Sequence, residues 1–199
     1  GIIFNMMFAA QGLKPEGFSG IMIASVVPPL DATFKQLCLR YFNREPLWVG
    51  PGLKTGMPVL YENPREVGAD RIVNAVAAYN RWPEGLIVVD FGTATTFDCV
   101  SPKGEYLGGV IAPGPQISAE ALFQRAAKLP RVDFSAPKNI IGKNTTDSMR
   151  SGIVYGYAAM VDGLVERLRA EMDFPVKVVA TGGFAEIIRR HTLSIEEID

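Results

Sequence analysis

Val88-Val89-Asp90-Phe91-Gly92-Thr93-Ala94-Thr95-Thr96-Phe97-Asp98 is the stretch around which the rest of the chain can be read. Leu86 to Val89 is apolar and β-branched, which predicts a buried strand with Asp90 at its end. Gly92 permits a sharp bend, and Phe97 to Val100 predicts a returning strand, so the segment between them is a hairpin tip. Thr93, Thr95 and Thr96 then place three hydroxyls around one turn. Successive backbone N–H groups in a turn cradle an anion, and hydroxyls add donors for phosphate oxygens. The carboxylate of Asp90 beside them suits a cation, held directly or through water. A simpler reading is that the hydroxyls satisfy their own turn, and D-x-G-T by itself does not choose between the two.

Bulk properties narrow the function classes. The chain has 199 residues, 48 % of them apolar and 21 % charged, as suits one large packed domain or two small ones. The net charge of −1 comes with no sustained basic stripe, which argues against nucleic acid or an anionic membrane as the main partner. Cys38 and Cys99 stand far apart inside apolar patterns and read as buried free thiols of a reducing, cytoplasmic compartment. The single histidine, His191, is near the end and reads as a surface residue, so a histidine-based triad is not expected. No apolar run reaches the length of a membrane span. Gly1 opens directly in an amphipathic pattern, without a start methionine or a cap, and Ile195 to Asp199 has no clear terminator. The expectation is therefore of a fragment, or of ends that were not recorded.

Taken in order, residues 2–11 predict a helix, 20–27 a buried strand stopped by Pro28-Pro29, and 30–42 a second helix. Leu47-Trp48-Val49 is a short strand, and 51–63, rich in Gly and Pro, an irregular connection. Gly68-Ala69-Asp70-Arg71 opens a helix whose apolar face is expected at Ile72, Val73, Val76, Ala77 and Tyr79. After the hairpin come a strand over 106–111, a helix over 116–127, and extended segments over 129–136 and 138–141. Asn144 or Thr145 caps a long helix running to about Met172, with Asp147 in its first turn. A strand over 176–180, the turn Thr181-Gly182-Gly183 and a helix over 184–190 close the pattern. Hairpin strands leading into helix-linked strands suit a mixed sheet with helices on both faces. The first half has the same element order without the opening strands.

Four stretches, in this order and spacing, resemble the type III pantothenate kinases of the acetate kinase, sugar kinase and actin superfamily. They are Gly68-Ala69-Asp70-Arg71, Asp90-Phe91-Gly92-Thr93-Ala94-Thr95-Thr96, Gly108-Gly109-Val110-Ile111-Ala112-Pro113-Gly114 and Ala180-Thr181-Gly182-Gly183. The resemblance begins at Ser25-Val26-Val27-Pro28 and covers most of the chain. It implies an α/β fold made of two mixed-sheet halves of the actin-like ATPase (ribonuclease H-like) type facing a cleft. The halves are expected at residues 1–82 and 83–199, with a hinge near 80–86. The family's opening strand and D-x-G-N-T loop have no counterpart in these 199 residues, so the first half is expected to be truncated.

The implied reaction is transfer of the ATP γ-phosphoryl group to the primary hydroxyl of pantothenate, the first committed step towards coenzyme A. Residue by residue, Asp70 matches the family's proton acceptor, and Tyr61, Gly68, Ala69, Asp70, Arg71 and Thr145 its pantothenate contacts. Thr93, Thr95, Gly182 and Gly183 match ATP contacts, and Asp90 a monovalent-cation ligand. The implied cofactors are ATP, Mg2+ and K+ or NH4+, and the implied assembly is a homodimer. The long helix offers Gly152, Gly156, Ala159, Tyr155 and Tyr157 for that contact. Each residue also has a plainer reading. Asp70 can be a first-turn acid, Arg71 a solvated helix residue, Tyr61 core, Thr145 a cap, and Gly182-Gly183 an ordinary turn. Two other functions fit the same pattern: another small-molecule kinase of the superfamily, or a non-catalytic regulator or accessory-factor relative on the same fold.

Overall fold

The computed structural model describes residues 2–50 and 53–199. Its helices are α1 (Ile2–Ala10), α2 (Pro28–Phe42), α3 (Ala69–Arg81), α4 (Pro115–Arg125), α5 (Thr145–Met172) and α6 (Ala185–Arg189). Its strands are β1 (Met22–Ala24), β2 (Leu47–Val49), β3 (Leu86–Phe91), β4 (Ala94–Val100), β5 (Tyr106–Pro113), β6 (Lys177–Gly182) and β7 (Glu197–Ile198). The chain divides into two compact units, residues 1–54 with 65–73, and residues 55–64 with 74–199. The division thus passes through α3, whereas the sequence pattern placed the change of halves at 82/83.

In the first unit β1 and β2 pair in parallel, Met22 opposite Leu47 and Ala24 opposite Val49. The strand expected over 20–27 is shorter than its apolar pattern, and Pro28-Pro29 does more than stop it. The two prolines form the first turn of α2, where a missing N–H costs nothing and the fixed φ already suits the helix. Phe8, Phe18 and Phe42 pack edge to face with ring centroids 5.5–5.8 Å apart, joining α1 to the end of α2. Pro51 and Gly52 of the expected irregular connection lie outside the described residues.

The second unit is built on a five-stranded mixed sheet in the order β5-β4-β3-β6-β7. β5, β4 and β3 are antiparallel neighbours, and β3, β6 and β7 run parallel. Ile87, Val89 and Phe91 of β3 alternate with Val88 and Asp90, so the first set faces one side of the sheet and the second set the other. Ile87, Val89, Phe91, Phe97, Cys99 and Val178 form one core with Ile153, Ala158, Val161 and Val165 of α5. Both cysteines are buried. The face of α3 that is buried comprises Ile72, Ala75 and Ala78, while Val73 and Ala77 are exposed. That stripe is rotated from the expected one: Ala75 and Ala78 take the buried positions expected of Val73 and Ala77, with Val76 and Tyr79 half-buried. β7 escaped the pattern reading, since two residues are too few to show a period. The segments expected to be extended over 129–136 and 138–141 form no strand. They run as an irregular strap tied to α5 by Ser151 Oγ donating to Ile140 O at 2.6 Å and Tyr155 Oη to Pro137 O at 3.3 Å. The Arg150–Asp133 ion pair adds to that tie. The Ser135 hydroxyl and amide, and after them Arg150, hold the Asp133 carboxyl down to about 2. Among the described residues no helix is long and apolar enough to cross a membrane.

Candidate functional site

The hairpin turn is tighter than its sequence suggested. β3 continues through Asp90 to Phe91 and β4 begins at Ala94, leaving Gly92-Thr93 as a two-residue loop. Thr95 and Thr96 therefore sit in β4, where β-branched residues fit the pleat. Thr95 shares a row with Phe97 and Cys99, and its side chain is 0 % exposed. Its hydroxyl is enclosed and has no hydrogen-bond partner among the described residues. Thr96 lies on the other face, opposite Asp90 in the register, and donates to Asp98 Oδ2 at 3.1 Å. Thr93 alone carries an exposed hydroxyl at the tip, with no hydrogen bond to any other described residue. The Gly92 amide is already used, donating to Ala94 O at 3.0 Å.

Asp90 is half-buried at the end of β3. Its Oδ2 accepts from Asn74 Nδ2 at 2.8 Å, which fixes the carboxylate plane. On the other side lies Gly182, at the end of β6 and directly opposite Phe91. A Cβ placed on Gly182 would stand 2.6 Å from both Asp90 Oδ1 and Phe91 O, and its φ of +92° is one that side chains rarely adopt. Glycine is thus needed there for conformation and for space. Gly183 is exposed, with nothing within 4 Å of an added Cβ. The structure therefore brings Asp90, Thr93 and Gly182 to one end of the β3, β4 and β6 strands.

Tyr61 belongs to the same unit. The 58–60 segment lies along β5, with Tyr106 N donating to Pro58 O and Leu60 N to Tyr106 O, both at 2.8 Å. The Tyr61 ring covers Gly108, whose added Cβ would meet it at 3.5 Å. Thr145 is the first residue of α5 and exposed. The cap is Asn144, whose side chain accepts from the Asp147 amide at 2.9 Å. Capping therefore makes no use of the Thr145 hydroxyl, which takes no hydrogen bond from any other described residue.

In the first unit, Asp70 is exposed in the opening turn of α3, and its Oδ1 accepts from the Arg71 amide at 2.8 Å. The helix dipole favours the charged carboxylate at that position. A Cβ on Gly68 would lie 2.5 Å from that same oxygen, so Gly68 leaves the Asp70 carboxylate its room. Arg71 is 7 % exposed, which removes the reading of a solvated helix residue. Ala69 is half-buried at the helix start.

Three residues carry structural weight that the sequence did not assign to them: Asn74 and Asp98 had no role there, and Tyr157 only that of a contact for a second subunit. Asn74 orients Asp90. Asp98 is fully buried and accepts from Tyr106 Oη at 2.7 Å as well as from Thr96. Tyr157 bonds to Pro113 O. A polar residue inside an apolar stripe was the only signal for the first two, and such signals do not name the partner. His191, expected at the surface, is half-buried with its ring edge-on to Tyr155 at 4.9 Å.

Among the described residues no group of three or more His, Cys, Asp or Glu side chains could hold a metal ion. A single oriented carboxylate beside a free hydroxyl and an open glycine turn instead fits a cation shared with phosphate oxygens. The residues present are thus compatible with a nucleotide phosphate chain and its cation.

The fold is similar to a solved structure from Campylobacter jejuni described as a conserved candidate Baf family transcriptional activator. The TM-score is 0.59 at 19 % identity, over 96 % of this chain and 80 % of that one. This likeness is one of α/β fold alone. Sequence comparison goes further. The family model for type III pantothenate kinase matches residues 1–167. Proteins named type III pantothenate kinase from Anaeromyxobacter sp. (strain K) and Myxococcus xanthus are 60 % and 57 % identical over all 199 residues, which span 78 % of each relative. One from Geobacter sulfurreducens is 55 % identical over the same span. The chain belongs to the type III pantothenate kinase family.

Proposed function

We propose that the chain performs the reaction of its family, ATP-dependent phosphorylation of the primary hydroxyl of pantothenate, at the start of coenzyme A synthesis. The observation that carries this is the 60 % identity over the whole chain to a protein of that name. Phosphoryl transfer asks little covalent chemistry of a protein: the hydroxyl must be positioned, the phosphates neutralised and one proton removed. We assign proton removal to Asp70. Its Oδ1 is engaged by the Arg71 amide, and its Oδ2 makes no hydrogen bond to another described residue. As the pantothenate oxygen bonds to the γ-phosphorus, the bond to the bridging oxygen breaks and ADP leaves. Gly68, Ala69, Arg71, Tyr61 and Thr145 form the pantothenate contacts, with the Arg71 guanidinium chemically suited to a carboxylate. Thr93 donates to a phosphate oxygen, Thr95 supports the turn from β4, and Gly182 and Gly183 form the adenosine side. Mg2+ would supply charge neutralisation of the phosphates when bound, and we assign the monovalent cation to the Asp90 carboxylate. The two units correspond to the two halves of an actin-like ATPase. A substrate panel separates this reading from another kinase of the superfamily: ATP consumption by the full-length protein should follow pantothenate and no sugar or other small alcohol. Equal turnover with a sugar would contradict it.

Cation use gives a second expectation. With Asp90 as a monovalent-cation ligand, initial rates at saturating Mg2+ should fall steeply when potassium is replaced by tetramethylammonium, and ammonium should restore them. Full activity in tetramethylammonium or sodium alone would remove that role from Asp90.

The assembly we propose is a two-fold dimer through α5. Gly152, Gly156 and Ala159 are exposed along one stripe, and nothing lies within 4 Å of a Cβ added at Gly152, Gly156 or Gly163. Such a stripe permits close helix approach. The tyrosines give no support, because Tyr155 and Tyr157 bond within their own chain. Light scattering should report twice the chain mass, and Gly156→Trp should halve it. A mass unchanged by Gly156→Trp would place any contact elsewhere.

A further inference from the structure

The Gly92-Thr93 turn is held from behind by a chain of bonds that starts on α5. Tyr157 is 8 % exposed, and its Oη donates to Pro113 O at 2.8 Å. With that proton committed to a carbonyl, the 2.7 Å contact to Ser118 Oγ has the serine as donor. Pro113 is the last residue of β5 and pairs with Ala94, the residue that follows the turn. The next amide, Gly114 N–H, donates to Thr93 O at 3.0 Å. Gly114 is also packed hard against the turn, since an added Cβ would lie 2.4 Å from both Gly92 O and Thr93 O. The Pro113-Gly114 corner therefore backs an otherwise exposed two-residue loop, and Tyr157 is the side chain that fixes the corner.

We propose that Tyr157 is a positioning residue for the phosphate turn, acting through Pro113 and Gly114 and not through contact with a substrate. The proposal rests on the reading of Gly92-Thr93 as an ATP-phosphate contact. Tyr157→Phe keeps the ring that fills the α4–α5 contact and removes only the hydroxyl. The expected result is about a five-fold rise in the Kd of a non-hydrolysable ATP analogue and in the KM for ATP, the size of one lost neutral hydrogen bond. kcat and the KM for pantothenate should stay within about two-fold. Hydrogen exchange at the Gly114 amide should quicken in the nucleotide-free protein, which no change in chemistry would produce. Ser118→Ala, which only removes the donor onto Tyr157, should shift the ATP terms the same way by about two-fold. It decides the matter should Tyr157→Phe fold poorly. The proposal is overturned if both variants leave Gly114 exchange and ATP binding unchanged. It is equally overturned if ATP and pantothenate binding weaken together in step with a lower melting temperature. Thr93→Ala is the control for the underlying reading. Unchanged analogue binding there would refute the turn as a phosphate contact, whereas weakened binding there with an unaffected Tyr157→Phe refutes the positioning role alone.

Discussion

Asp70→Asn should leave a folded protein whose turnover is lower by about 10²–10⁴-fold, the usual cost of removing a general base. The fold should survive because the residue is exposed and the amide oxygen of asparagine can still accept from the Arg71 amide. The helix start thus keeps its first-turn acceptor while the proton acceptor is lost. ATP and pantothenate affinities should change little, since the effect falls on the transition state. Gly68→Ala should act in the same direction and more weakly, by crowding the Asp70 carboxylate. Near-normal turnover in Asp70→Asn, measured by ADP release at saturating substrates, would return Asp70 to the role of a first-turn acid and nothing more.

Gly182→Ala should be severely damaging on the nucleotide side. The residue has φ of +92°, and the new Cβ would stand 2.6 Å from Asp90 Oδ1 and Phe91 O. The carboxylate could rotate away only by giving up Asn74, and the Phe91 carbonyl belongs to β3 and cannot yield cheaply. Backbone strain and overpacking together cost about 2–4 kcal/mol. For a chain of this size that is a fall in melting temperature of about 5–15 °C. ATP binding should be lost in the same variant, because both the glycine turn and Asp90 are displaced. Gly183→Ala is the natural comparison: its added Cβ meets nothing within 4 Å, so its melting temperature should stay close to that of the parent. Equal stability of the two variants would mean that the β6 end relaxes freely and does not hold Asp90.

What was legible in the sequence follows from how local each signal is. The central hairpin, α3, α5 and β6 came from β-branched runs, helical periodicity and caps, all of which are written within a few neighbouring residues. The four motifs survived for the same reason, and Asp90 and Gly182 do meet. Misreadings arose where one residue type serves two purposes. Thr95 and Thr96 looked like turn hydroxyls because threonine suits turns, yet it suits strands as well, and the Phe97 and Cys99 row drew Thr95 into the core. Pro28-Pro29 ended a strand and also began a helix. Asn74 as the partner of Asp90, Tyr157 of Pro113 and Tyr106 of Asp98 were invisible because each lies 8 to 44 residues away along the chain. Only the pairing of strands and the packing of helices bring such residues together.

The most direct measurement is phosphorus NMR of the products formed by the full-length protein from ATP, Mg2+, potassium and pantothenate. ADP should appear in step with one phosphomonoester signal coupled to the methylene protons of the pantothenate primary alcohol. ADP without that signal, or no ADP unless another alcohol is supplied, would contradict the assignment of this chain as a pantothenate kinase.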